Sequence, residues 1–122
     1  MRRSLILFVV AVLCMGVVRP GLAAPTTVSP QEIKATFATG KPFRSRSPSG
    51  TIFIFVFKSD GTALRTPKGL TSGTSGTWRL SSSGYCSKWN NNAENCYTLQ
   101  KNGTEYLVLD ATGKVSAHWT AP

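Results

Sequence analysis

The sequence predicts a mainly β domain: seven or eight short antiparallel strands in a meander, closing as a small up-and-down barrel or a strongly curved sheet, with one short N-terminal helix. Three observations lead there. Tight-turn signals recur at short intervals, from Ser59-Asp60-Gly61 through Asn102-Gly103 to Asp110-Ala111-Thr112-Gly113. The stretches between them are rich in β-branched and aromatic residues. The chain has 122 residues, of which the first 23 read as an export signal, leaving about 99 for one small core.

The export signal comes first in the chain. Arg2 and Arg3 form a positive n-region, Leu5 to Met15 an apolar h-region, and Gly21-Leu22-Ala23 puts small residues three and one positions before a scissile bond. The apolar run is broken at Gly16 and ends at Arg19-Pro20, short of the roughly 20 residues of a spanning helix, so no transmembrane anchor is expected. Leu13 before Cys14 speaks against lipidation. Residues 1–23 are therefore expected to be a cleaved signal peptide, and residues 24–122 a single β-domain, periplasmic or secreted. Losing Arg2, Arg3 and Arg19 lowers the net charge from +9 to +6 and leaves two cysteines.

Ala24 to Thr27 reads as a flexible lead-in. Ser29 is an N-cap, Pro30 suits the first helical position, Glu32 completes a capping box, and Val28 with Ile33 forms a hydrophobic staple. Ile33 and Phe37 give the helix its apolar stripe, and Gly40 stops it. A weak strand is expected around Phe43. Thr51 to Phe57 is apolar on both alternating faces, which implies a strand covered on both sides. Ser59-Asp60-Gly61 turns it into Thr62 to Thr66, a loop runs to Gly73, and Thr74 to Leu80 is the next strand. The last hairpins join Tyr97 to Gln100, Glu105 to Leu109, and Lys114 to Trp119.

In an exported domain, Cys86 and Cys96 are expected to form a disulfide. With these two opposite each other in a hairpin, Ser87 faces Asn95, Lys88 faces Glu94 and Trp89 faces Ala93, around an Asn90-Asn91-Asn92 loop. That register offers a Lys88 to Glu94 charge pair. It also gathers Tyr85, Trp89 and Tyr97 on the face away from the sulfurs.

Asp60-Gly61-Thr62, Gly76-Thr77-Trp78-Arg79-Leu80, Tyr85-Cys86-Ser87-Lys88-Trp89, Cys96-Tyr97, Asn102-Gly103 and Asp110 to Lys114 together resemble a family of small exported alphaproteobacterial proteins. That family is a largely uncharacterised domain of unknown function, so the resemblance implies a bacterial β-barrel and no chemistry. Gly76-Thr77-Trp78 is also similar to the glycine-x-tryptophan signature of lipocalins and of bacterial metalloprotease inhibitors with a lipocalin-like barrel. Here it falls mid-domain, whereas lipocalins carry it on the first strand.

No catalytic constellation is visible. His118 is the one histidine and stands without a cysteine or carboxylate near it in sequence, no carboxylate pair is spaced for hydrolysis, and no metal or cofactor motif occurs. A non-enzymatic domain that binds a ligand, an envelope component or a protein partner is expected. The alternative is an inhibitor of an exported hydrolase such as a metalloprotease, with the lead-in Ala24 to Val28 entering its active site. Lys41, Arg44 and Arg46 cluster as candidate contacts for an anionic envelope component, and nucleic acid is not an expected partner. Trp78 and Tyr106 are expected in the core. Trp89, beside the Asn-rich tip, is expected to be exposed and to act as a contact residue.

Overall fold

Alternation of inward aromatics with outward polar or branched residues closes the sheet on itself. The computed structural model describes residues 24–122; the expected signal peptide lies outside the described residues. The elements are β1 (Thr26–Thr27), α1 (Pro30–Phe37), β2 (Phe43–Arg46), β3 (Ile52–Phe57), β4 (Thr62–Pro67), β5 (Thr74–Leu80), β6 (Tyr85–Trp89), β7 (Asn95–Asn102), β8 (Glu105–Leu109) and β9 (Val115–Thr120). Strands β2 to β9 pair in sequence order, and β9 returns to β2 through Arg44 opposite Thr120. The result is an eight-stranded antiparallel closed barrel with β1 as one extra strand.

The helix forms where its caps dictate. Ser29 Oγ accepts the Glu32 amide at 3.2 Å, Pro30 opens the first turn, and Val28 and Ile33 are both buried, as a staple requires. The helix is too short to be stable alone. It plugs one end of the barrel, where the Phe37 ring lies 4.8 to 4.9 Å from the rings of Phe43, Tyr106 and Trp119. Trp119, fully buried, is the hub of this core, and its Nε1 donates to Ser45 Oγ at 3.1 Å. Trp78 and Tyr106 are also buried; Trp78 stacks on Phe57 and donates its Nε1 proton to the Lys58 carbonyl.

Two turns share one device. In each, an aspartate Oδ1 accepts the amide and the hydroxyl of the threonine two residues on, at 2.9 and 2.6 Å: Asp60 with Thr62, and Asp110 with Thr112. Gly61 and Gly113 supply the left-handed backbone that such turns need, at φ +88° and +84°. The threonine hydroxyl bonds, which favour the charged form, hold both carboxyls below the usual carboxylate range.

Four local expectations are corrected. The lead-in is not wholly free: Thr26 and Thr27 pair with Lys101 and Gln100, because β6 leaves that stretch of the β7 edge unpaired. β3 is covered on one side only. Phe53, Phe55 and Phe57 point into the barrel, while Ile52, Ile54 and Val56 are half-buried on its outer wall. The β7–β8 loop is Gly103-Thr104, one residue later than expected, since Asn102 still pairs with Glu105.

The fourth correction concerns the disulfide hairpin. Cys86 and Cys96 are bonded, and Tyr85, Cys86 and Ser87 face Tyr97, Cys96 and Asn95 in the expected register. The ladder then stops, and the loop runs from Asn90 to Glu94, entered through Asn90 at φ +52°. Glu94 consequently turns to Arg79 on β5, at 2.6 and 3.2 Å, instead of Lys88. Arg79's hydrogen bonds hold the Glu94 carboxyl below its ordinary range, in a position too exposed to add much stability.

Candidate functional site

With α1 filling one end, the barrel keeps a cavity of about 260 Å³ at the other. At about 30 Å³ per liquid water, that is room for roughly nine waters or a ligand of similar bulk. The inward aromatics of β3 and β6 meet inside the barrel, Phe55 with Trp89 at 5.6 Å and Phe57 with Tyr85 at 5.8 Å between ring centroids, and all four rings line the cavity. Phe53, Phe55, Trp89, Tyr97 and Trp119 give it an apolar wall, and Asn92 and Asn95 border its mouth.

Trp89 stands inside this cavity. It is half-buried, not exposed as its place beside the hairpin tip suggests, and the reason lies across the ladder. β6 continues to pair with β5 after it has left β7, which places Trp89 opposite Gly76. A Cβ at Gly76 would come within 2.6 Å of the indole Cε3 and collide with the Lys88 carbonyl. The glycine of the Gly76-Thr77-Trp78 motif is therefore the hollow that receives Trp89.

Among the described residues, Arg65 is the only charged one lining the cavity. It reaches inward because β4 alternates Ala63 and Arg65 on its inner face. Its guanidinium carbon sits 4.8 Å from the Trp89 ring centroid, a cation–π contact, and among the described residues no carboxylate pairs with it. Tyr85 and Tyr97 stack at 5.3 Å beside it. Burial, with Tyr97 adjacent, pushes the Tyr85 phenol well above its usual value of 10. Burial also raises the Tyr97 phenol, while Arg65 draws it the other way. Both phenols are thus neutral donors at ordinary pH.

The Tyr85 shift carries a sign that can be checked. Unfolded Tyr85 ionises near pH 10 and folded Tyr85 only above it, so the stability tied to the neutral phenol is full below pH 10 and fades as pH rises beyond. An alkaline titration followed at 295 nm should show one tyrosine that ionises only together with loss of the tryptophan near-ultraviolet circular dichroism. Three tyrosines ionising freely, with that dichroism intact, would contradict the packing of Tyr85.

The other sequence-derived candidates lie elsewhere. Arg44 and Arg46 point outward on β2, and Lys41 is exposed just before that strand. Arg46 Nη2 is 3.0 Å from Glu105 Oε1, with His118 Nδ1 3.1 Å from the same oxygen on the outer wall. Cys86, Cys96 and Glu94 bring their ligand-type atoms within 4.8 Å, but both sulfurs are held in the disulfide and offer no thiolate to a metal. Arg65 is the cavity residue that sequence reasoning does not single out. Its signal was available: Arg65 shares a strand face with Ala63, which the barrel turns inward.

No family model, curated protein or solved structure matches this chain. No helix among the described residues is long and apolar enough to cross a membrane.

Proposed function

We propose that this chain is an exported, non-enzymatic binding protein whose barrel mouth takes a small organic anion with a flat or apolar body. The observation that carries the reading is Arg65: a guanidinium held over the Trp89 ring, without a carboxylate partner and the only charge lining the cavity among the described residues. Such a group favours a carboxylate or similar anion, because a charge-assisted hydrogen bond in a half-buried site is stronger than a neutral one. The surrounding rings supply apolar contact for the rest of the ligand. Export is supported by the disulfide, which persists in oxidising compartments. An inhibitor acting through its lead-in draws no support, because Thr26 and Thr27 are held in a ladder and Val28 is buried.

The test pairs small aromatic and branched-chain carboxylates with their neutral amides, read by quenching of tryptophan fluorescence and by calorimetry. Carboxylates should bind and amides should not. Arg65→Gln should weaken carboxylate binding by roughly tenfold or more, the size of a lost charge-assisted bond. Equal binding of acid and amide, or an Arg65→Gln variant that binds as well as the parent, would overturn the reading.

A further inference from the structure

The outer wall of β2, β3 and β4 combines two features that a solubilising surface keeps apart. The register sets Ile52 beside Arg46, Ile54 between Arg44 and Thr66, and Val56 beside Leu64. A run of apolar side chains therefore crosses the outside of the barrel, with arginines along one flank. Leu64 and Leu70 are the exposed large hydrophobics among the described residues, at 39% and 61%: Leu64 stands on β4, opposite Val56, and Leu70 lies in the loop that follows β4. Lys68, whose amide bonds the Ile52 carbonyl, extends the row on the far flank, and Lys41 and Lys58 stand at the ends of β2 and β3. Two acids lie next to this face: Glu105, held by Arg46, and Asp60, in the β3–β4 turn near Lys58 with its carboxylate engaged by Thr62. Among the described residues, Lys41, Arg44, Lys58 and Lys68 have no ion pair.

We propose that this face docks the domain on a membrane surface rich in anionic phospholipid. Cations alone would suit any polyanion. Branched apolar side chains set between them suit an interface where headgroup charge and acyl chain lie within a few ångströms of each other. The attachment proposed is peripheral, through this outer face, and salt-sensitive because it rests on exposed cations. This surface lies outside the cavity: none of its residues lines the Arg65 site.

The experiment is co-sedimentation of the full exported chain with vesicles of phosphatidylglycerol in phosphatidylcholine, against phosphatidylcholine alone. Binding is expected only to the anionic vesicles, falling as salt is raised. Arg44→Gln and Lys68→Gln should each weaken it about fivefold, the usual worth of one basic residue at such a surface. Leu64→Ser should weaken it without changing the net charge, whereas Lys88→Gln, on the opposite wall, should leave it unchanged. Thermal unfolding of each variant identifies any that fails to fold, and Leu70→Ser, in a loop, gives a second apolar test. Three results would each overturn the proposal: equal binding to both vesicle types, no binding to either, or binding of a soluble acidic protein or polymer with Leu64→Ser and Leu70→Ser without effect.

Discussion

Trp119→Ala should bring the barrel close to its unfolding midpoint at room temperature. Removing a fully buried tryptophan costs about 3–5 kcal/mol through lost burial and the cavity left behind. A domain of this size commonly has only about 5–15 kcal/mol in total. The site cannot collapse easily, because the indole is ringed by Phe37, Phe43, Phe55, Phe57 and Tyr85, drawn from the helix and three strands that the barrel holds apart. Ser45, itself buried, also loses the indole N–H it accepts. Urea unfolding followed by far-ultraviolet circular dichroism should show the midpoint move sharply downward, with Trp119→Phe intermediate. A midpoint within experimental error of the parent would mean that Trp119 is not the hub of the core.

The second large effect belongs to the disulfide. Replacing Cys86 and Cys96 together by serine should lower stability by roughly 2–3 kcal/mol, the loop-closure value for so short a ring. The loss falls at one place. β6 and β7 pair at only three positions, and the cross-link is the middle one. Amide exchange at Ser87 and Tyr97 should therefore quicken more than exchange on β3, which is paired along both edges. The same variant should bind the proposed anion more weakly, since Tyr97, Asn92 and Asn95 border the cavity from this hairpin. Uniform acceleration of exchange across the barrel would place the effect in the unfolded state instead of at this seam.

How much of this was legible depends on whether a residue's neighbours are local. The helix caps at Ser29 and Pro30, the aspartate turns and the Cys86 to Cys96 register all involve residues a few positions apart, and the sequence reading placed them correctly. Glu94 was misplaced because its partner, Arg79, comes from the strand next door, and a hairpin examined alone contains no third strand. Trp89 was misplaced for the same reason, since the hollow it fills belongs to Gly76. The face shared by Tyr85, Trp89 and Tyr97 was evident from alternation, but that it encloses a cavity with Arg65 follows only from closure, which sets β4 facing β6 and β7 across the interior.

Closure has a further consequence, in the time before the fold exists. Ser45 and Trp119, whose contact marks the meeting of β2 and β9, are 74 residues apart, so the barrel cannot shut until nearly the whole domain has been assembled. Until then Ile52-Phe53-Ile54-Phe55-Val56-Phe57 is six strongly β-forming residues without charge, proline or glycine, the composition that stacks readily into cross-β aggregates. Lys58 follows it directly, and Arg46 and Pro48 lie a few residues before it, a charge on either side and a proline positioned to discourage stacking of one chain on another. In the finished protein those cations flank the outer wall; during folding they act as gatekeepers of the stretch most prone to self-association.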